Sequence, residues 1–217
     1  MIKNFQHLET EQRETIHLDM SREKVKKIIK YVSEEELDSY RYTHKYLYER
    51  GMTDEIIETF DLGYDKNLRT ITFPVRDING NTLFIARRNI KFKRYQYPAG
   101  VEKPLYGLYE ISRLESAPDE IIVCEGMFDA LTCWVYGKYA VALNGLGNDL
   151  QFKQLSRLSA RKLILATDMD GAGLKARQRI RDNVKTKIIT EYRCDINKAK
   201  DINAMDKDYF LSLEDKL

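Results

Sequence analysis

Leu163-Ile164-Leu165-Ala166-Thr167-Asp168-Met169-Asp170-Gly171 is the stretch whose reading decides the fold. Its first half is a short, continuous apolar run, which reads as a strand buried on both faces of a parallel sheet. The run then gives way to two acids and a glycine. Residues two apart on extended backbone point to the same side, so Asp168 and Asp170 can hold one metal and a bridging phosphate. Gly171-Ala172-Gly173 lets the chain turn sharply into a following helix. The alternative for Asp170 is an N-cap of that helix. An EF-hand reading fails: that loop needs an oxygen ligand at its fifth position and an acid at its twelfth, where this chain has Ala172 and Arg179.

Two further acidic groups lie on either side of this stretch. Glu125-Gly126 follows the apolar run Ile121-Ile122-Val123-Cys124, and Asp201 sits in Ala199-Lys200-Asp201-Ile202-Asn203. In an open α/β sheet the strand carboxyl ends share one edge, where ligands bind. Carboxylates gathered there repel one another unless a cation neutralises them, and hard oxygen clusters suit Mg²⁺ or Mn²⁺. Asp129, one helical turn after Glu125, either faces the same cleft or stabilises the positive helix N-terminus. Taken alone, Glu125 reads equally well as a capping or solvated residue, and Asp201 nearly as well as an ordinary turn aspartate.

After Ala117-Pro118 the pattern is regularly βαβ. Strands are expected near 120–124, 139–143, 162–167 and 187–193, and helices near 127–137, 149–158 and 172–184. Such short spacing demands parallel strands with right-handed crossovers. The fold class is therefore α/β, a parallel βαβ sheet over 118–217 preceded by a smaller α+β subdomain over 1–117.

In that first part, residues 1–20 look loosely organised, and Ser21 can cap a helix through Val25, Ile28 and Ile29. Ser33-Glu34-Glu35-Glu36 resembles a capping box. It predicts one helix carrying Leu37, Tyr40, Tyr46 and Leu47 and ended by Gly51. Another helix starts at Thr53-Asp54-Glu55-Ile56 and ends near Phe60. Thr70 to Val75 and Thr82 to Ala86 read as a hairpin around Asp77-Ile78-Asn79-Gly80. A basic, aromatic stretch follows: Arg87, Arg88, Lys91, Lys93, Arg94, Tyr95 and Tyr97. Arginine grips phosphate bidentately and tyrosine stacks on bases; the alternative is a solvated basic hairpin. The cluster Tyr40, Tyr42, Tyr46 and Tyr48 is core or partner surface, with Tyr46 the best core candidate.

The 217 residues are 43% hydrophobic and 32% charged with a net charge of +2, so the chain is not of the disordered type. A case for nucleic acid must rest on local patches rather than global charge. Cys124, Cys133 and Cys194 form no CxxC pair, and His7, His17 and His44 are scattered. That spacing argues against a zinc ribbon and fits a reducing compartment. No apolar stretch approaches the ~18 residues of a membrane span. The N-terminus lacks a signal pattern. The expectation is a cytoplasmic protein away from membranes.

Glu125-Gly126, Asp168-Met169-Asp170 and the intervening elements, in this order, resemble the Toprim domain shared by bacterial primases, topoisomerases and some nucleases. Glu125-Gly126-Met127-Phe128-Asp129 is similar to the Glu-x-x-x-Asp of the primase branch. Lys200-Asp201-Ile202-Asn203 is similar to its Lys-Asp-Pro-Asp segment, with Asn203 in place of the second acid. Tyr46-Leu47-Tyr48-Glu49-Arg50-Gly51-Met52, Phe60-Asp61-Leu62-Gly63-Tyr64, Phe73-Pro74-Val75-Arg76-Asp77 and Leu105-Tyr106-Gly107-Leu108-Tyr109-Glu110 resemble the DnaG-type primase catalytic core. The resemblance covers about residues 40–205.

What this resemblance implies is metal-dependent synthesis of RNA primers on single-stranded DNA. It implies catalytic roles for Glu125, Asp168 and Asp170, and metal ligation by Glu125, Asp129, Asp168, Asp170 and Asp201. Mg²⁺ or Mn²⁺, and no zinc, would be the cofactor. Arg87, Arg88, Lys93, Arg94 and Tyr95 would contact template or nucleotide phosphates. Partners would be the single-stranded template and nucleoside triphosphates, with a separate zinc-binding subunit or a replicative helicase as candidates. Compared with full-length primases, the sequence is expected to lack the zinc-binding domain, the helical subdomain after the Toprim domain and a helicase region. The same acids also suit a Toprim metal-dependent nuclease, and the missing accessory regions suit a non-catalytic, replication-associated binding module.

Overall fold

A computed structural model of the chain describes residues 30–92, 94–192, 197–199 and 201–217. The expected helix after Ser21, together with His7, His17, Lys93, Cys194 and Lys200, lies outside the described residues.

The first part opens with helices α1 (Glu34–Asp38), α2 (Lys45–Glu49) and α3 (Asp54–Thr59). Ser33 caps α1, accepting the Glu36 N–H at 3.3 Å. The single helix expected over 33–50 is therefore two helices, and tertiary hydrogen bonding is the reason. The Tyr40 carbonyl accepts the Tyr64 N–H at 2.8 Å, which pulls the chain out of helical register. A Cβ on Gly63 would lie 2.1 Å from that carbonyl oxygen, so only glycine admits the crossing. His44 then starts α2, its Nδ1 accepting the Tyr46 N–H at 3.1 Å. Of the tyrosine cluster, Tyr46 packs against the core, whereas Tyr42 and Tyr48 are 48% and 51% exposed.

Strands β1 (Gly63–Asp65), β2 (Thr70–Arg76), β3 (Thr82–Asn89) and β4 (Tyr95–Gln96) form an antiparallel sheet in sequence order. Asp77 Oδ1 accepts the N–H groups of Asn79 and Asn81, at 2.9 and 3.0 Å, and so closes the β2–β3 turn. The register sets Phe73 opposite Ala86 and Ile71 opposite Arg88.

The second part runs α4 (Leu108–Ser112), β5 (Glu120–Cys124), α5 (Met127–Val135), β6 (Ala140–Ala142), α6 (Asp149–Arg157), β7 (Lys162–Ala166), α7 (Gly171–Asn183) and β8 (Ile188–Tyr192). A 3₁₀ turn (Ile202–Ala204), α8 (Lys207–Leu211) and β9 (Asp215–Lys216) follow. Strand order is β6-β5-β7-β8-β9. The first four strands are mutually parallel, and β9 adds a short antiparallel edge that the sequence pattern does not announce. Asn148 and Gln151 form the capping box that starts α6.

Alternate residues of β5 and β7 feed two cores. Ile122, Cys124, Ile164 and Ala166 face one layer, and Ile121, Val123, Leu163 and Leu165 face the other. This is why both strands are apolar throughout. The first layer also contains Phe73 of β2, whose ring meets Phe128 of α5 edge-on at 5.4 Å. Phe60 meets Trp134 edge-on at 5.2 Å. Both sheets thus share one apolar layer, which fixes the antiparallel sheet against the carboxyl edge of the parallel one. Among the described residues no helix is long and apolar enough to cross a membrane.

Candidate functional site

The chain leaves β5 towards β6 on one side and returns to β7 on the other. The carboxyl ends of β6, β5 and β7 therefore lie together at the point where strand order reverses, which opens a crevice. Glu125 follows β5, Asn144 follows β6 and Asp168 follows β7. The Asn144 N–H donates to the Glu125 carbonyl at 2.8 Å. Asn144 itself has a φ of 56°, the left-handed conformation that asparagine tolerates.

Gly126 is the N-cap of α5. A Cβ there would come within 2.7 Å of Asp129 Oδ2, so the glycine lets the Asp129 carboxylate fold back over the strand end. Asp129 Oδ1 accepts the Asn203 N–H at 3.1 Å. The Asn203 amide donates to the Arg50 carbonyl (3.0 Å) and to Thr132 Oγ1 (2.7 Å), tying α2 to α5. Asp201 caps the 3₁₀ turn by accepting the Ala204 N–H at 3.0 Å. Asp170 caps α7, accepting the N–H groups of Ala172 and Gly173 at 3.0 and 2.9 Å. Gly173 packs against the Asp168 backbone so closely that a Cβ would lie 1.9 Å from the Asp168 carbonyl oxygen.

These elements enclose a cleft of about 350 Å³. Its lining brings the acids Glu125, Asp129, Asp168 and Asp201 together with Arg50, Arg88, Tyr95 and Tyr97. Arg88 is only 5% exposed, far from the open phosphate clamp that its sequence context suggests. Its Cζ lies 4.9 Å from the Phe128 ring centroid, 5.4 Å from Tyr95 and 5.8 Å from Tyr46. Its Nη1 donates to the Tyr46 hydroxyl at 2.8 Å. Arg87, its neighbour on β3, points to the opposite face, where Nε reaches Asp65 Oδ2 at 3.3 Å and Nη2 donates to the Tyr40 hydroxyl at 3.1 Å. Arg94 is exposed and outside the cleft lining. Asp170 likewise is not in the lining, although its charge reaches Glu125.

Sequence reasoning placed Tyr97 in the basic, aromatic stretch and Arg50 in a resembling motif without giving Arg50 a role, and it did not single out Lys103 or Asn144. Arg50 Cζ sits 4.9 Å over Phe128, and its Nε is buried without a partner. Lys103 Nζ donates to the Asn144 carbonyl, lies 4.5 Å over Tyr97 and is held below the usual lysine range by burial. The Asn144-Gly145 pair directly after an apolar run was the available signal for that loop.

The carboxylates strain against each other. Burial, then the negative charges of Asp168 and Asp170, push Glu125 up to about 7. Burial, then Asp201, push Asp129 up to about 7, against the opposing pull of the Asn203 N–H and Arg50. Glu125 Oε2 and Asn144 Oδ1 are buried without any hydrogen-bond partner. Among the described residues no three acids converge on a single point at ligand distance. The donor set nevertheless fits a hard divalent cation: clustered carboxylate oxygens, one of them orphaned, in a cleft that opposes their ionisation.

The arrangement defines a class first: a Toprim-like domain whose acidic carboxyl edge is roofed by an antiparallel sheet. Residues 122–206 match the family model described as Toprim-like. The described residues share the fold of the DnaG-type primase catalytic core. It is 21% identical to the zinc-binding and RNA polymerase domains of the Aquifex aeolicus primase, covering 85% of this chain and 62% of that one with a TM-score of 0.66. A DnaG primase catalytic domain bound to ssDNA gives a TM-score of 0.64 at 20% identity over 79% of this chain and 71% of that one. Among curated proteins, the DNA primase of Haemophilus influenzae is 28% identical over 184 residues, which cover 64% of this chain and 31% of the relative. The chain thus spans about a third of that relative's length.

Proposed function

We propose that this chain synthesises RNA primers on single-stranded DNA with Mg²⁺ or Mn²⁺ at the acidic edge. The observation that carries this reading is the cleft itself, whose lining combines Glu125, Asp129, Asp168 and Asp201 with Arg50, Arg88, Tyr95 and Tyr97. The carboxylates suit a cation, and the arginines and tyrosines suit phosphates and bases, as copying a template requires. The ssDNA-bound DnaG domain of the same fold supports the choice of ligand.

Asp168, Asp170 and Asp201 would hold the cation, with Asp129 in the same cleft lining as Asp168 and Asp201. When bound, the cation neutralises charge on the attacking and leaving oxygens of phosphoryl transfer. Glu125, whose buried Oε2 has no hydrogen-bond partner, would accept the proton of an attacking 3′-hydroxyl. Arg88, packed against Tyr46, Tyr95 and Phe128, would offer an aromatic-backed positive charge to a phosphate that enters the cleft. Arg50 serves the same end beside Asp201. Residues 1–117 would supply the template side, and residues 118–217 the metal side.

The test is direct. The purified chain is incubated with ssDNA, ribonucleoside triphosphates and Mn²⁺, alone and with a zinc-binding partner. Template-dependent oligoribonucleotides that vanish with Asp168→Asn support the proposal. No product under either condition overturns it, and nicking of DNA without nucleotide would instead identify a Toprim nuclease.

A further inference from the structure

Arg177 lies on the inner side of α7 and is 3% exposed. Burying a guanidinium is expensive unless it is thoroughly bonded, and its α7 neighbours Ala176 and Ile180 show that an apolar residue suits this layer. The bonds of Arg177 all go to one place. Nε donates to Thr167 Oγ1 at 3.0 Å. Nη2 donates to the Thr167 carbonyl at 2.7 Å and reaches Met169 Sδ at 3.3 Å. Nη1 donates to the Tyr192 carbonyl at 3.3 Å and lies 3.4 Å from Glu191 Oε2. Thr167 and Met169 flank Asp168; Tyr192 ends β8. Thr167 Oγ1 in turn donates to the Gly173 carbonyl at 2.8 Å, which closes a ring of bonds around the base of the acidic loop.

The division of labour is clear from the geometry. Asp170's cap and the close packing of Gly173 anchor the loop after Asp168 to the first turn of α7. Arg177 grips the residue before Asp168, the residue after it and the end of the adjacent strand. We propose that Arg177 is a positioning residue: a buried fork that fixes the Asp168-Met169-Asp170 loop, and its distance from the end of β8, for cation binding. The inference rests on the reading of the cleft as a metal centre. Lysine cannot replace the fork, because a single ammonium cannot serve the Thr167, Met169 and Tyr192 acceptors in one plane.

The test uses the full chain with Arg177→Lys, and Thr167→Val as a second variant that removes the Oγ1 bonds while leaving the guanidinium in place. Two measurements are made. Hydrogen exchange on the metal-free protein reads the Ala172 and Gly173 amides that Asp170 caps; Mn²⁺ binding is read by the EPR signal of the free ion. The expected result is a folded R177K whose loop amides exchange at least about tenfold faster, with β5 amides unchanged, and whose Mn²⁺ dissociation constant rises roughly 10- to 100-fold, the range typical for residues that orient metal ligands. Unaltered loop exchange and Mn²⁺ affinity in R177K overturn the proposal and leave Arg177 as part of the core. If R177K does not fold, T167V decides by the same two readouts. Failure of the wild-type chain to bind Mn²⁺ overturns the metal-centre reading itself, while the exchange data still decide whether Arg177 restrains the loop.

Discussion

Replacing Asp129 by asparagine should make the metal-free protein more stable above neutral pH. Asp129 titrates in the folded protein at about 7 against an ordinary 3.8, because burial and then the Asp201 charge disfavour its ionised form. A folded-state value above the unfolded one means that the native state holds the proton more tightly. Stability from this group is therefore complete below the unfolded value and is lost as pH rises through about 7. At roughly 1.36 kcal/mol per pH unit the gap corresponds to about 4 kcal/mol. Water entering the open cleft screens part of it, so about 2–4 kcal/mol is the expected range. Asparagine keeps the shape and the acceptor for the Asn203 N–H but cannot ionise. In EDTA, urea titrations at half-unit steps from pH 5 to 8.5 should show D129N gaining on wild type by up to about 1.4 kcal/mol per pH unit, then levelling off. Millimolar Mg²⁺ should shrink the gap, since binding to the native state stabilises it in proportion to the logarithm of ligand concentration. A D129N-minus-wild-type difference that stays flat with pH would refute the claim that Asp129 is held against its own ionisation.

Three other outcomes follow from single contacts. Gly173→Ala should lower stability by more than about 2 kcal/mol and displace the Asp168 loop, since its Cβ would fall 1.9 Å from a backbone oxygen that cannot swing aside; chemical denaturation and the Mn²⁺ EPR signal measure both effects. Arg88→Met should leave stability within about 1 kcal/mol, because an apolar chain suits the aromatic cage of a guanidinium whose Nε is already unpartnered. The same change should depress primer synthesis at limiting nucleotide, and unchanged synthesis would remove Arg88 from phosphate binding. Phe73→Ala should cost about 3–5 kcal/mol and unfold both sheets in one transition, as the ring bridges β2 to α5; two separate calorimetric transitions would contradict a shared core.

The parallel sheet was legible because strands buried on both faces carry unbroken apolar runs, and because acids at their carboxyl ends mark where burial stops. The cap of α1 is local and shows in the four residues from Ser33 to Glu36. What the sequence hid depends on longer-range contacts. β1, β4 and β9 are two or three residues long, too short for a period to emerge. The break between α1 and α2 arises from the Tyr40–Tyr64 backbone bond, a contact that no window around Tyr40 contains. At the site, Arg87 and Arg88 look interchangeable in a basic run. Yet the period of two along β3 puts Arg88 on the face of Phe84 and Ala86, which belong to the shared apolar layer, and sends Arg87 to Asp65. Asp170 was read both as a ligand and as an N-cap; it caps α7 with one oxygen, which leaves its second for other work. Arg177 carried no signal, because a buried arginine on a helix looks like a solvated one until its acceptors are seen.

The central claim is that the acids at the carboxyl edge grip a divalent cation beside a polynucleotide. Crystals grown with Mn²⁺ and a nucleoside triphosphate, measured at the manganese edge, put it to the test most directly. An anomalous peak is expected in the cleft, roughly 2 Å from carboxylate oxygens of Asp168 and its acidic neighbours, with the triphosphate reaching towards Arg88. A cleft without manganese at saturating concentration, its carboxylates turned instead onto Arg50 and Arg88, would contradict it.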